Sequence, residues 1–412
     1  MKIAIILRKI KLKDGIQAEA FSLGMELKRM GHEITMYTYD FDPALALPDL
    51  VKEFEIISLE PGEKEKEEKI FGIFSRPSYL VKWNKRNREA RRLAHKIHRD
   101  TDLLNPHSSM TYPVSAYFKK EIRDIPSVWL VSSLPLHRWR FRVIKIIDPG
   151  RKIPPFLKRL FYYFMDEIEI RKFIRRHRIV ALSETNRKNI TDLIRQDADV
   201  VYAGTDISKF PYKERASLVG KRIRVLLTGT LFTYRRFEDT IDAVKLLIDK
   251  GYDARITIIG AYKHILPYYE RLRKRVEHHG ITDNVSFLGF VKEEDLSRIY
   301  QEHDMTVSSV ATQEAGIGLT ILDAMACGTP VIISRGAAAC EVLTDGINAL
   351  FVNPKAPAEI AAALEVLFKN PELYISLSRN GRKLVEEKFT WAHYARSLLR
   401  IFEDEYNKYK RI

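Results

Sequence analysis

The order of apolar runs in the first forty residues constrains the fold more than any other feature. Residues 2–7, KIAIIL, are mostly apolar and β-branched, which is typical of a buried strand. Residues 17–30 place apolar side chains at helical spacing up to Gly31, and residues 33–39 form a second apolar run. This strand–helix–strand unit predicts a parallel sheet, in which ligands bind beyond the carboxyl ends of the strands.

The same alternation starts again near residue 222, which predicts a second domain. The patterns predict strands at 222–228, 254–259, 284–288, 305–309, 330–334 and 349–352, with helices at 237–250, 295–302, 319–326 and 391–410. A chain of 412 residues is long enough for two domains. We therefore predict an α/β protein with two Rossmann-like domains, and turn residues over 204–213 mark the hinge between them.

The composition indicates which kinds of partner the protein binds and in which compartment it works. The net charge of +15 favours anionic partners such as phosphorylated substrates, anionic lipid or nucleic acid. No apolar run is near 18 residues, and the amino terminus suits a strand better than a signal peptide. Cys327 and Cys340 have no metal-ligand spacing, so we expect two small buried side chains and a cytoplasmic protein. Few glutamines beside many Lys, Glu and Arg are typical of proteins from hot organisms.

The stretch over 314–332, EAGIGLTILDAMACGTPVI, has the pattern of a ligand-binding turn before a helix. Gly316 and Gly318 allow the backbone to approach a ligand closely, and a helix starting at Leu319 directs unpaired N–H groups at an anion. Asp323 is then placed to accept hydrogen bonds from sugar or ribose hydroxyls. The alternative is a tightly packed strand–turn–helix without a ligand.

Several segments together resemble glycosyltransferase family 4. The strongest similarity lies in NVSFLGFVKEEDLSRIYQEHDMTVSSV and GIGLTILDAMACGTPVIISRGAAACEVLTDGINALFVNP, and it extends to TGTLFTYRRFED, ALSETN, YAGTD and the first strand–helix–strand unit. The resemblance implies the GT-B architecture, two facing Rossmann-like domains with a deep cleft. It also implies transfer of a sugar from a nucleotide sugar, with retention of configuration and no obligatory metal or other cofactor.

The resemblance also assigns the donor site. Arg235 matches the family's phosphate-binding lysine, and the adjacent Arg236 is an alternative to it. Catalysis needs fixed positive charge where the leaving pyrophosphate gathers negative charge, and an Arg fork suits such a group. Gly15 matches the amino-terminal glycine turn that approaches the same phosphates. The remaining donor-binding residues that the matched motifs give are Gly229, Thr230, Gly316, Ile317, Gly318, Leu319 and Asp323.

The chain departs from the family pattern at three places. The first Glu of the family's Glu-x7-Glu pattern falls on Ala315, with Glu314 one residue early as a candidate catalytic acid. The second Glu falls on Asp323, which is shorter by one methylene. An arginine that follows the loop glycine is Thr230 here, so that place has lost a cation. These changes leave room for a protein that binds a nucleotide sugar but turns it over slowly.

The acceptor is expected in the amino-terminal half. His107 follows the strand-like segment 102–104, and His137 lies in the loop segment SSLPLHRW. The resemblance implies that a histidine in this zone contacts the sugar, so both are candidate catalytic histidines, with His137 preferred; the alternative for each is a structural role. Residues 82–99 form a basic amphipathic helix, and residues 138–178 interleave arginines and lysines with bulky apolar residues. This favours an anionic membrane surface over a solvated basic face, and we expect no nucleic acid partner.

We therefore predict a peripheral, cytoplasmic-face enzyme that transfers a hexose or N-acetylhexosamine. Residues 1–208 would hold a glycan, lipid-linked or phosphorylated acceptor and be completed by the helix within 391–412, and residues 209–390 would bind the nucleotide sugar. The base of the donor, UDP-, GDP- or ADP-linked, is left open. A nucleotide-sugar epimerase and a degenerate, non-catalytic binding protein are the alternatives.

Overall fold

The computed structural model describes most of the chain as two α/β domains. The described residues are 1–11, 15–43, 51–59, 79–138, 140–141, 153–218, 220, 222–262, 266–311 and 316–411. Each domain has a parallel sheet and its own apolar core. Within these ranges, no helix has both the length and the apolar character that crossing a membrane requires.

The amino-terminal domain is built on short parallel strands in adjoining sheets. One sheet has the order β3-β2-β1-β4 and the other the order β5-β6-β7. Their bounds are Lys2–Leu7 (β1), Glu33–Thr38 (β2), Glu55–Ser58 (β3), Leu103–Pro106 (β4), Val128–Val131 (β5), Arg178–Ala181 (β6) and Asp199–Val200 (β7). Single bridges from Leu104 to Ser127 and from His107 to Leu130 place β5 beside β4. The sheets therefore continue as one parallel layer, and their carboxyl ends share one edge.

Helices cover both faces of this layer. They are Gly15–Arg29 (α1), Tyr79–Lys96 (α2), Tyr112–Glu121 (α3), Phe156–Lys172 (α4) and Glu184–Ile194 (α5). Ala90, Leu93 and Ala94 form the buried stripe of α2, and basic residues such as Lys82, Arg88 and Arg92 are exposed on the same helix. Ser183 begins α5, because its Oγ accepts a hydrogen bond of 3.0 Å from the backbone N–H of Asn186.

The carboxyl-terminal domain has a parallel sheet of order β10-β9-β8-β11-β12-β13. Its strands are Ile223–Thr228 (β8), Ala254–Ile259 (β9), Val285–Gly289 (β10), Met305–Ser308 (β11), Val331–Ser334 (β12) and Leu350–Val352 (β13). Its helices are Phe237–Asp249 (α6), Leu266–His278 (α7), Glu293–Glu302 (α8), Leu319–Ala326 (α9), Pro357–Lys369 (α10) and Pro371–Lys388 (α11). The order of the strands reverses between β8 and β11, and a crevice forms at such a point beyond the carboxyl ends of the strands. The loops after β8 and β11 therefore lie at this crevice.

The last helix, Trp391–Lys410 (α12), returns to the amino-terminal domain. Its buried residues Tyr394, Leu398 and Phe402 pack in the same core as Ile3 and Ile5 of β1. The Tyr394 hydroxyl also donates a hydrogen bond of 2.5 Å to the buried carboxylate of Glu19 on α1.

The chain crosses between the domains twice, and the two passages are bonded to each other. The backbone N–H of Thr205 donates to the carbonyl of Phe389 at 2.8 Å, and that of Trp391 donates to the carbonyl of Thr205 at 3.3 Å. A β-carbon at Gly204 would stand 2.4 Å from the backbone of Thr390, so only glycine allows this approach.

Most elements have the bounds that the sequence predicts, and two predictions need correction. The strand at 254–259 and the helices at 319–326 and 391–410 agree in full with their apolar patterns. The helix predicted at 82–99 runs from 79 to 96 instead, since Tyr79 packs against the rings of His137 and Tyr162. Cys327 is buried as predicted, whereas Cys340, in the short 3-10 turn Ala338–Glu341, is only half-buried.

Candidate active site

A cavity of about 240 Å³ lies between the two domains. The amino-terminal domain contributes Ser132 and Ser133, which directly follow β5. The carboxyl-terminal domain contributes the loops after β8 and β11 and the start of α9; its lining residues include Tyr234, Arg235, Ser308, Gly316, Ile317, Gly318 and Thr320. The carboxyl ends of both sheets therefore face this space, where ligands of such sheets bind.

The start of α9 forms one wall. Gly318 precedes the helix with φ +87°, a conformation that favours glycine, and as the N-cap residue it has no side chain with which to cap the helix. Ile317 is buried beneath it. A β-carbon at Gly316 would stand 2.9 Å from the carbonyl oxygen of Leu182 in the other domain. This glycine therefore allows the domains to touch beside a helix start that favours a negative charge.

Arg235 supplies the positive charge of this wall. A β-carbon on Gly229 would stand 2.7 Å from Cζ and Nη1 of Arg235, so the guanidinium packs directly on that glycine. Its Cζ lies 5.8 Å from the ring centre of Tyr234, and Ser309 Oγ donates to its backbone carbonyl at 2.9 Å. Among the described residues Arg235 has no acidic partner, and its Nε is buried without a hydrogen-bond partner. An anion in the cavity would satisfy it.

Arg236 is paired with acidic side chains of its own helix start. Its guanidinium donates to both oxygens of Asp239 at 2.7 and 2.6 Å and lies 3.4 Å from Glu238. The hydrogen bonds to Asp239 raise the pKa of Arg236. Arg236 and Thr230 are not among the residues that line the cavity. Of the two adjacent arginines, the structure therefore presents Arg235 to a ligand.

Asp323 faces a different space. Its Oδ1 accepts a hydrogen bond of 2.5 Å from Thr205 Oγ1, and it lines a smaller cavity of about 120 Å³ together with Leu319 and Trp391. A β-carbon at Gly15 would stand 4.0 Å from Leu319 Cδ1, so the start of α1 faces the start of α9. The donor residues predicted from the sequence thus lie on two sides of α9, and the structure brings Arg235, Gly316, Ile317 and Gly318 together on one of them.

His107 has no surface open to the cavity in this conformation. It is 0% exposed, and its Nε2 lies 2.7 Å from Oδ1 of Asn105. Because the amide nitrogen of Asn105 donates to Val128, Oδ1 is the acceptor and Nε2 carries the proton. Nδ1 has no hydrogen-bond partner within the described ranges, and burial lowers the pKa of His107 to about 3. The ring is therefore neutral, and the geometry fits a structural role better than contact with a substrate.

His137 is held by a buried carboxylate. Its Nδ1 lies 2.8 Å from Oδ1 of Asp166 on α4, and the ring stacks on Tyr162 with centroids 4.2 Å apart. Asp166 also accepts the backbone N–H groups of His137 and Arg138. In a neutral ring, a carboxylate at Nδ1 selects the tautomer with the proton on that nitrogen, and Nε2 is then an acceptor. His137 does not line the interdomain cavity; Ser132 and Ser133 do.

The sequence did not identify three residues of this region: Ser132, Ser133 and Asp166. Ser132 and Ser133 end the strand-like run VWLV, so the rule for ligands at strand ends could have selected them. The pairing of Asp166 with a histidine 29 positions earlier leaves no signal in the sequence. Glu314 and Ala315 lie outside the described residues.

Known proteins match the carboxyl-terminal half of the chain in sequence. Residues 209–384 match the family described as glycosyl transferases group 1. Mannosylfructose-phosphate synthase from Agrobacterium fabrum is 29% identical over 203 residues, which are 48% of this chain and 44% of that protein. D-inositol 3-phosphate glycosyltransferase from Corynebacterium kroppenstedtii is 26% identical over 56% of this chain and 54% of that protein. The chain thus matches about half the length of each of these relatives.

Solved structures match over nearly the whole chain. Sucrose-phosphate synthase from Thermosynechococcus elongatus has a TM-score of 0.74 at 17% identity and covers 99% of both chains. Alr3699/HepE from Anabaena, solved with UDP-glucose, has a TM-score of 0.72 at 15% identity over 98% of this chain and 100% of that one.

The two parallel-sheet domains that face a shared cleft give the chain the GT-B fold. Residues 209–384 match the glycosyl transferases group 1, which confirms the predicted resemblance to glycosyltransferase family 4 over that part of the chain. The predicted fold class, two facing Rossmann-like domains, is confirmed as well.

Proposed function

We propose that this protein is a glycosyltransferase that moves a hexose or N-acetylhexosamine from a nucleotide sugar to an acceptor. The observation that carries the proposal is the position of Arg235. This cation has no acidic partner among the described residues, lies beside the start of α9, and faces a cavity closed from the other side by Ser132 and Ser133. The names of several relatives, and the UDP-glucose complex of one structural neighbour, support a nucleotide-sugar donor.

The charge of the cavity suits the leaving group. When the glycosidic bond breaks, the nucleoside diphosphate gains negative charge, and Arg235 with the N–H groups of α9 would stabilise it. These fixed groups support a reaction that does not depend on a metal. The cation that the family has at position 230 is a threonine here, so Arg235 would act with less help. Retention of configuration is what the resemblance to family 4 implies.

We propose that the acceptor is a glycan, a phosphorylated compound or a lipid-linked compound bound by the amino-terminal domain. Two relatives are a D-inositol 3-phosphate glycosyltransferase and a phosphatidylinositol dimannoside mannosyltransferase, which supports the last two classes. His137, oriented by Asp166, is the candidate for contact with acceptor or transferred sugar. His107 is the less favoured candidate because it is buried.

Association with a membrane surface is proposed from α4. Its first half presents a row of exposed apolar side chains, which we call the α4 ridge: Phe156 (68% exposed), Leu157 (77%), Leu160 and Phe164 (63%). Lys158 and Arg159 lie between them. Apolar side chains beside cations are suited to an anionic lipid interface, where each cation contributes about 1 kcal/mol.

The test is a donor panel with two readouts. UDP-, GDP- and ADP-linked hexoses and N-acetylhexosamines are each added to the protein, and the unfolding midpoint and the release of nucleoside diphosphate are measured. A donor at 100 times its dissociation constant adds roughly 2.7 kcal/mol of stability. We expect one nucleotide class to raise the midpoint and to release diphosphate in the presence of water or acceptor.

Two results would contradict the proposal. A raised midpoint without diphosphate release over hours would favour a degenerate binding protein, to which the changes at positions 230 and 315 point. Conversion of the donor to an epimeric sugar would favour the epimerase alternative. Product sugars are therefore identified as well as counted.

A further inference from the structure

A separate cavity of about 500 Å³ lies within the amino-terminal domain, at the carboxyl ends of β1 and β2. Arg8 and Lys9 follow β1 directly, Tyr39 and Asp40 follow β2, and Lys85 and Arg86 come from α2. This is the edge of the parallel layer at which its ligands bind. None of the donor residues predicted from the sequence lines it.

The lining is rich in positive charge. Four cations, Arg8, Lys9, Lys85 and Arg86, face two carboxylates, those of Asp40 and Glu89. Asp40 is already paired with Lys11, whose Nζ lies 2.6 Å from its Oδ2. Asp40 and Arg86 are thus each paired with a residue that does not line the cavity, Lys11 and Glu169. Arg8 and Lys9 are exposed and have no acidic partner among the described residues, so these two cations favour an anion.

Arg86 is fixed in place by buried partners. Glu169 on α4 accepts hydrogen bonds from Arg86 and from the Trp83 indole, and it accepts a third of 2.6 Å from the Tyr112 hydroxyl. The Arg86 side chain is only 15% exposed, and its Nε has no hydrogen-bond partner among the described residues. A guanidinium held this way loses little freedom when an anion binds it.

Helix α4 binds both Arg86 and His137 through its acidic side chains. Glu169 and Asp166 project from the inner side of α4 toward Arg86 and His137, while the α4 ridge is exposed on the same helix. One helix thus connects the basic cavity, the candidate acceptor histidine and the proposed lipid-facing surface. This places the cavity on the acceptor side of the enzyme.

We infer that this cavity binds the phosphate or pyrophosphate group of the acceptor, with Arg8, Lys9, Lys85 and Arg86 as its cations. The inference rests on the proposed function, since it assigns the acceptor's anionic group to this cavity. The phosphate can belong to a lipid-linked acceptor, whose chain would lie along the α4 ridge, or to a soluble sugar phosphate.

The test uses calorimetric titration of the full chain with two phosphate probes. Farnesyl monophosphate represents a lipid phosphate and glucose 6-phosphate a soluble one, with farnesol and glucose as their uncharged counterparts. The variant is the double substitution Arg8→Gln/Lys9→Gln, because both side chains are exposed and their loss should not disturb folding. The matched control is Lys383→Gln/Lys388→Gln, which removes the same charge from exposed positions on α11.

We expect at least one phosphate probe to bind, its uncharged counterpart not to bind, and Arg8→Gln/Lys9→Gln to weaken binding by about tenfold or more. Binding of farnesyl monophosphate alone assigns a lipid-linked acceptor, whereas equal binding of glucose 6-phosphate assigns a soluble one. Equal weakening in the α11 control would overturn the inference, since it would show an unspecific effect of charge. Binding that survives Arg8→Gln/Lys9→Gln but is lost in Arg235→Ala would also overturn it, by placing the phosphate in the donor cavity.

The unaltered protein separates this inference from the proposed function. If it binds a nucleotide sugar but neither phosphate probe, the inference fails and the proposed function stands. If it binds a phosphate probe at Arg8 and Lys9 but no nucleotide sugar, the proposed function and the acceptor role both fail.

Discussion

The guanidinium of Arg235 occupies the space that a β-carbon on Gly229 would need. That β-carbon would stand 2.7 Å from Cζ and Nη1 of the arginine. Gly229→Ala should therefore push the guanidinium out of the donor cavity. Because position 229 has a φ of +120°, an alanine there also adds backbone strain of roughly 1–3 kcal/mol. We expect donor affinity to fall by about tenfold or more, as measured by calorimetry with the donor that the panel identifies.

Gly251→Ala is the matched control for this substitution. Gly251 also has a positive φ, +88°, but nothing lies within 4 Å of its missing β-carbon. The Gly251→Ala variant should be less stable because of backbone strain, and its affinity for the donor should be unchanged. Equal loss of affinity in both variants would show that strain, and not displacement of Arg235, is responsible.

The two adjacent arginines should give different defects. Arg235→Ala removes the cation of the cavity, and diphosphate release should fall by about 100-fold to 1,000-fold with little change in stability. Arg236→Ala leaves the buried Asp239 unpaired and should lower the free energy of unfolding by about 1–3 kcal/mol. Its turnover should stay close to that of the unaltered protein. Denaturant unfolding and single-turnover assays on both variants check this, and a reversed pattern would place Arg236 at the phosphates.

Ser132 should contribute to ligand binding and not to stability. Its Oγ is buried beside the donor cavity and has no hydrogen-bond partner in the part of the chain that the structure describes. Ser132→Ala should leave the unfolding midpoint nearly unchanged and weaken donor or acceptor use by about twofold to tenfold in kcat/KM. Ser115→Ala is the control, because Ser115 Oγ is also buried without a partner but lies on α3, away from the cavity. A loss of turnover in Ser115→Ala of the same size would count against a ligand contact at Ser132.

Glu19 should make stability depend on pH. Burial raises the pKa of Glu19 to about 7, and the hydrogen bond from Tyr394 opposes this only in part. Since its folded pKa lies above the ordinary value of 4.5, its contribution to stability is complete below pH 4.5 and is lost as pH rises through 7. Glu19→Gln should therefore be more stable than the unaltered protein at pH 8, by up to about 3 kcal/mol, and equal to it at pH 4.5.

Urea unfolding at both pH values measures this difference. Glu387→Gln, at an exposed position on α11, serves as the control and should show no such change. A difference between Glu19→Gln and the unaltered protein that is the same at both pH values would show that the carboxyl does not titrate in this range.

The α4 ridge should determine binding to lipid. Phe156→Ser/Leu160→Ser/Phe164→Ser removes exposed apolar side chains and should lower binding to vesicles containing anionic lipid by about tenfold or more, because each such side chain buries apolar area at the interface. Neutralising the arginines within 138–178 should lower binding further, and more so at low salt. Co-sedimentation measures both effects.

The control for the ridge lies in the other domain. Leu246→Ser/Leu288→Ser/Val366→Ser removes an equal number of exposed apolar side chains from there. Its vesicle binding should stay unchanged. If the ridge variant binds as well as this control, α4 has no part in lipid association.

The elements that the sequence predicts well are those with long, regular apolar patterns. The runs at 254–259, 319–326 and 391–410 each have a clear period, and glycine or threonine lies at one end of each, so their bounds follow from local chemistry. Strands such as Leu103–Pro106 and Arg178–Ala181 have four residues, too few to show a period. Their places in the sheet are set by pairing with strands far along the chain.

The same difference applies to the site. Arg235, Gly316 and Gly318 come from motifs within single loops, and the structure places them around one cavity. The Asp166 contact of His137 depends on how α4 packs, which no local pattern encodes. The ion pair between Arg236 and Asp239 joins residues three positions apart, so the spacing of opposite charges at a helix start could have predicted it.

The second passage of the chain between the domains changes what a single cut does. If a protease cleaved near Thr205, the fragment from there to the end would still place Tyr394, Leu398 and Phe402 inside the core of the other fragment. The amino-terminal fragment alone would lack those side chains and would expose the apolar surface that they cover. The two fragments should therefore stay associated after such a cut, because the carboxyl-terminal fragment carries part of the core of the amino-terminal domain.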